Sequence, residues 1–169
     1  MLSFAWPLSF QGLVILFMGN LDILMLGWLS TASEVGYYRS IQPVTQILLF
    51  LLSSLTFIYL PIATRYFTDG EYDKLDSIYK TATRWIAHAT FPLLLFYLLF
   101  GKEVITAIFT EEYSAAWLAL AILSIGMYSR VFVGPNGMTI KAIDRTKEDL
   151  LASITSIVTN AVLNITLIP

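Results

Sequence analysis

From Ser40 to Thr64 the chain carries no charged side chain. An α-helix rises about 1.5 Å per residue and needs roughly 20 apolar residues to cross a hydrocarbon core about 30 Å thick. A run of this length and polarity is a membrane-spanning helix, and its presence rules out an ordinary water-soluble fold. Composition points the same way: the chain is 57% hydrophobic and 13% charged, with a mean hydropathy of +0.72. Lipid must be the solvent for most of such a surface. The net charge of −2 and the scattering of single Lys and Arg residues leave no electrostatic footprint for nucleic acid. Cysteine is absent, which excludes disulfides, thiolate metal sites and a cysteine nucleophile.

Read along its length, the chain predicts an all-α integral membrane protein with about five transmembrane helices, near residues 4–29, 40–64, 85–101, 113–140 and 150–169. Pro7, Asn20 and Asp22 interrupt the first. The Gly134-Pro135-Asn136-Gly137 cluster should break or bend the fourth. A stretch over 71–84 alternates charged and apolar residues at helical spacing and reads as an amphipathic surface helix running into the third span. No repeat, linker or low-complexity tract divides the chain, so 1–169 reads as one domain.

Loop charge predicts sidedness, because Lys and Arg accumulate on the cytoplasmic side. Arg65, Lys74, Lys80 and Arg84 lie between the second and third spans, and Lys141, Arg145 and Lys147 between the fourth and fifth. The intervening loops offer only Arg39 and Lys102. Loops 65–84 and 141–149 and the N-terminus are thereby expected in the cytoplasm, and Lys74, Lys80 and Arg84 against anionic lipid.

Ionisable groups at depth cost about 2.5–3.5 kcal/mol to insert and must face protein or water. Asp22 lies about 10 Å down from the outer end of the first helix, and Arg130 lies well inside the fourth, so both are candidate functional groups. Gln11 and Asp22 share one face of the first helix. Arg39, Gln42, Gln46 and Ser53 form a stripe down the second, and Ser153, Ser156, Asn160 and Asn164 a stripe down the last. Two readings stand for these stripes. They line an aqueous cavity, or they hydrogen-bond neighbouring helices as polar residues in membranes commonly do. Arg39 also fits a side chain snorkelling to the interface, and His88 fits interfacial packing rather than a proton relay. There is no catalytic constellation, phosphate-binding loop, metal motif or cofactor signature, and the acidic residues Asp69, Glu71, Asp73 and Asp76 read as a solvated face. An enzyme is not expected.

Four local patterns together carry a family resemblance. They are Asn20-Leu21-Asp22 through Gly27 to Glu34-Val35-Gly36-Tyr37-Tyr38; Leu60-Pro61 through Phe67 to Asp69-Gly70-Glu71-Tyr72; Ile108-Phe109-Thr110-Glu111-Glu112-Tyr113; and Asn160-Ala161-Val162-Leu163-Asn164 to Leu167-Ile168-Pro169. In this order the chain resembles the polysaccharide and lipid-linked oligosaccharide flippases of the multidrug/oligosaccharidyl-lipid/polysaccharide exporter superfamily, with Thr110 and Glu111 in place of the family's usual glycine and proline. The likeness covers roughly the seventh to eleventh helices of such a transporter, a fragment amounting to one bundle of a MATE-like two-bundle fold. It implies a multi-pass protein of the cell membrane that flips a lipid-linked sugar by alternating access, completed by an N-terminal bundle and with glycan-assembly enzymes as candidate partners. On that resemblance Arg130, Arg39, Gln42, Gln46, Asn160 and Asn164 would bind substrate, and Asp22 would pair with Arg39 or couple a cation. A cation-coupled multidrug exporter of the same superfamily and a non-transporting membrane scaffold are the rival expectations.

Overall fold

The computed structural model describes residues 21–167, the side chains of 146, 163, 164 and 167 excepted. All regular structure among them is helical. A first helix, α1, is described over 21–29. It is followed by α2 (Ala32–Thr68), α3 (Tyr72–Ile108), a 3-10 turn (Glu111–Ala116), α4 (Trp117–Phe132), α5 (Asn136–Ala142) and α6 (Thr146–Leu167). Among the described residues three stretches are long and apolar enough to cross a membrane: Ala32–Thr68, Tyr72–Ile108 and Glu111–Ala142. Most of the predicted first span lies outside the described residues. The chain divides into two compact units, Met1–Gly36 with Thr146–Pro169, and Tyr37–Arg145.

In the first unit a capping box sets where α2 begins. The Thr31 N–H donates to the Glu34 carboxylate at 3.2 Å, and the Glu34 N–H donates back to the Thr31 hydroxyl at 3.4 Å. Two otherwise orphaned donors are satisfied reciprocally, so α2 starts at Ala32 rather than at the expected Ser40. Ser30 also donates its hydroxyl to Glu34. On α6, the hydroxyls of Ser153, Thr155 and Ser156 each donate to the carbonyl four residues back on their own helix.

In the second unit α2, α3 and α4 pack side by side. Ile41, Val44 and Leu48 of α2 meet Tyr97 and Ile105 of α3 and Leu120 of α4 in one buried cluster. The far end of α2 is closed by Gly70 at φ +74, with Glu71 N–H donating to the Tyr66 carbonyl at 2.8 Å and Gly70 N–H to Phe67 at 3.2 Å. This is a Schellman ending, and glycine suits it because the left-handed backbone carries no Cβ penalty there. The helix therefore runs past the expected Thr64 to Thr68.

The amphipathic stretch over 71–84 runs on into the third span as one helix, as its sequence suggests. That stretch is the first third of α3, continuous with the span that follows; the only non-helical backbone inside α3 is at Phe100 (φ −122, ψ 23). Leu75, Ile78, Tyr79 and Ala82 pack against Tyr59, Ala63 and Tyr66 of α2 and against Met138 and Ala142 of α5 in a second core. Protein covers the apolar face that amphipathic periodicity had assigned to lipid. At 37 residues, α3 is about 55 Å long, well beyond the hydrocarbon thickness.

The expected break in the fourth helix is present. Gly134 (φ +72) and Pro135 separate α4 from α5. The break is held by phenols: Tyr79 donates to the Val133 carbonyl at 2.8 Å, and Tyr59 donates to the Thr139 hydroxyl at 2.8 Å while Thr139 donates to the Pro135 carbonyl. Gly134 touches Thr83 so closely that an added Cβ would stand 2.2 Å from its hydroxyl oxygen. Gly134→Ala therefore meets both a left-handed backbone and a steric overlap, and should cost about 2–4 kcal/mol. Thermal unfolding in detergent checks this, and adding Thr83→Ala should recover part of the loss by removing the overlap alone.

Tyr97 and Ser124 make an opposed pair for the same assay. Tyr97, 3% exposed, donates to the Val44 carbonyl at 2.9 Å, whereas the Ser124 hydroxyl is buried without a partner. Tyr97→Phe should destabilise by about 1 kcal/mol, and Ser124→Ala should be neutral or slightly stabilising because it removes an unsatisfied polar atom.

Candidate functional site

The two units divide the residues singled out from sequence. Asp22 and Asn160 belong to the first and are half-buried, each with an interaction of its own. The Asn164 side chain lies outside the described residues. Arg39, Gln42, Gln46 and Arg130 belong to the second unit.

On α2 the buried residues Ile41, Val44, Thr45, Leu48, Thr56, Tyr59 and Ala63 define the side packed on α3 and α4. At 100° per residue, Arg39, Gln42, Gln46 and Ser53 centre about a third of a turn from that side. Arg39, Gln46 and Ser53 are exposed and Gln42 half-buried. Within this unit the stripe lies to one side of the packed face, next to the exposed rings of Phe50 and Phe57. A separate side of α2 presents Ile47, Ile58 and Ile62. Thus α2 has a packed side, an aliphatic side and a polar side.

Arg130 is exposed near the end of α4. It stands beside the packed row Leu120, Ser124 and Val131, on a flank shared with the small residues Ala119 and Gly126. The aliphatic face of Leu118, Ile122, Ile125 and Phe132 lies roughly a quarter turn or more away from it. A guanidinium so placed avoids the helix side best suited to acyl chains.

The structure does not bring Arg39 and Arg130 together. Arg39 lies five residues outward of Val44, which bonds Tyr97, and Arg130 lies two residues beyond Tyr128, whose hydroxyl reaches the Ala87 carbonyl at 3.5 Å. With Ala87 and Tyr97 ten residues apart on α3, the two arginines differ in depth by roughly 25 Å. Neither has an ion-pair partner among the described residues.

Nor do the Ser and Thr hydroxyls of α2 tie helices together. Ser40, Thr45, Ser53, Ser54 and Thr56 of α2 all donate to carbonyls three or four residues back on their own helix, a common resting state for Ser and Thr in helices. The role expected of them is taken by Tyr59, Tyr79, Tyr97 and Tyr128. Sequence reasoning missed these tyrosines because their acceptors are mostly backbone carbonyls, which carry no residue signature.

By length and composition, three apolar helices among the described residues define a multi-pass membrane protein. A family model described as polysaccharide biosynthesis protein matches residues 1–118, and the chain belongs to that family. It is 30% identical over 126 residues to the teichuronic acid biosynthesis protein TuaB of Bacillus subtilis, covering 73% of this chain and 25% of the relative. It is 22% identical over 148 residues to the probable low-salt glycan biosynthesis flippase Agl15 of Haloferax volcanii, covering 88% of this chain and 31% of the relative. The chain thus spans about a quarter to a third of the length of these curated relatives. No solved structure matches it at a significant level.

The facial division of α2 and α4 is directly testable, since a cysteine-free chain accepts single reporters without background. Gln46→Cys and Arg130→Cys should react with a hydrophilic thiol reagent at least about tenfold faster than Ile58→Cys and Ile122→Cys, because the reactive thiolate forms only where water reaches. Equal rates at all four positions would remove the distinction between polar and lipid-facing sides.

Proposed function

We propose that this chain is part of a transporter that flips lipid-linked oligosaccharide or polysaccharide precursors across the cell membrane by alternating access. The carrying observation is the polar strip of α2, Arg39, Gln42, Gln46 and Ser53, left largely exposed about a third of a turn from the side that packs on α3 and α4. A polar strip of this kind is stable in a bilayer only if another protein surface or a water-filled cavity covers it. In this reading five spans form one bundle of a MATE-like pair, and a second bundle supplied by the rest of the transporter faces the strip. Loops 65–84 and 141–149 lie in the cytoplasm, as their Lys and Arg content favours.

The substrate's phosphate-bearing head passes between bundles while its lipid tail stays among acyl chains. Arg39 and Arg130 serve as two stations for the anionic head, since guanidinium groups match phosphate oxygens in geometry and charge. Their separation in depth suits successive engagement as one bundle rocks against the other. Gln42 and Gln46, with Asn160 and Asn164, supply hydrogen bonds to sugar hydroxyls, and Asp22 couples a cation. Family membership and the flippase name of one relative support the substrate class.

The test is transfer of a fluorescent lipid-linked sugar across vesicles holding the full-length transporter. Loss of one charge-assisted contact is worth about 1.5–3 kcal/mol, so Arg130→Gln and Arg39→Gln should each slow transfer at least about tenfold without impairing insertion. Unchanged transfer in both variants, with protein levels matched, overturns the assignment.

A further inference from the structure

On the exposed side of α3, opposite its packed face, residues change character along the helix. Lys74, Ser77, Thr81 and Arg84 come first, then Trp85 and His88, then Pro92, Leu95 and Leu99, all exposed. The polar-to-apolar changeover therefore falls at Arg84–His88. Trp85 is 69% exposed there and Leu99 70%, and a shallow open depression is lined by Arg84, Trp85, His88 and Ala89. The His88 Nδ1–H donates to the Arg84 carbonyl at 2.7 Å, which holds the ring against the helix and leaves Nε2 facing outward.

Charge pairing singles this place out from the rest of the charged segment. Arg65 pairs with Asp69, Lys74 with Glu71 at 2.8 Å, and Lys80 with Asp76. Arg84 has no ion-pair partner among the described residues. The lysines expected to meet anionic lipid are already neutralised by neighbours on the same helix, and the unpaired cation sits at the changeover itself.

We propose that Arg84, Trp85 and His88 form a binding surface for the headgroup of an anionic phospholipid. Arg84 meets the phosphate, Trp85 lies at the headgroup level where its amphipathic ring is favoured, and one acyl chain follows the apolar side through Leu95 to Leu99. From Trp85 to Leu99 the helix rises about 21 Å, more than half of a hydrocarbon core about 30 Å thick, so it accommodates a whole chain of one leaflet. Unpaired positive charge favours an anionic lipid over a zwitterionic one, and the apolar continuation favours a lipid over a soluble phosphate. The inference rests on the membrane placement of α3 and is independent of what the transporter carries.

The test uses the 169-residue chain reconstituted in vesicles, with Trp6, Trp28 and Trp117 replaced by Phe so that Trp85 alone reports. Quenching of Trp85 is compared for brominated phosphatidylglycerol and brominated phosphatidylcholine. One basic residue at a membrane surface should give a preference of about fivefold for the anionic lipid, the equivalent of about 1 kcal/mol. Arg84→Gln should abolish the preference, and Lys74→Gln with Lys80→Gln should leave it intact. Added salt should reduce the preference in the parent chain, a readout that needs no substitution at the site. Equal quenching by both lipids, quenching by neither, or a preference that survives Arg84→Gln overturns the proposal.

Discussion

Helices in a bilayer gain nothing from hiding apolar surface from one another, since lipid tails are as apolar as leucine. Association in the second unit rests on close packing and on a few hydrogen bonds that leave one helix for another. Tyrosines supply those bonds. Tyr97 reaches from α3 to the Val44 carbonyl on α2, Tyr79 from α3 to the end of α4, and Tyr59 from α2 to Thr139 on α5. Phenols suit this work because the ring fills the apolar gap between helices and places its one polar atom at the far side. Shorter hydroxyls return to their own backbone.

How much of this could be read beforehand follows from which signals belong to one segment and which to a pair. Helix bodies announce themselves by apolar length, and the break at Gly134-Pro135 by residue chemistry alone. The start of α2 was placed late because Glu34 looks like a loop charge until Thr31, three residues before it, is recognised as its capping partner. The strip Arg39-Gln42-Gln46-Ser53 was legible as a face by periodicity. Its direction was not, because direction depends on where α3 and α4 lie. Sequence places Arg130 well inside the fourth helix, but the break at Gly134 ends α4 at Phe132 and leaves Arg130 in its last turn; that position and its offset of roughly 25 Å from Arg39 depend, like the direction of the strip, on where the helices lie.

The first turns of α3 show how one pattern serves two solvents. Leu75, Ile78, Tyr79 and Ala82 recur at helical spacing, which fits a helix lying on a membrane and one packed on protein equally well. Here α2 extends beyond its apolar run and α5 folds back after the Gly134 break, and together they cover that face. Once the face is covered, the charges opposite it are free to pair with one another. Arg84, next to the lipid boundary, is the cation that stays unpaired there.

Rigidity and mobility are therefore distributed unevenly in this unit. The end of the unit around the Gly134 break is braced by two phenols, a Gly–Thr contact too tight for any side chain, and its own small core. Any rocking of the bundle has to carry α3, α4, α5 and the end of α2 as one body, since sliding α4 along α3 would break the Tyr79–Val133 bond and drive Gly134 into Thr83.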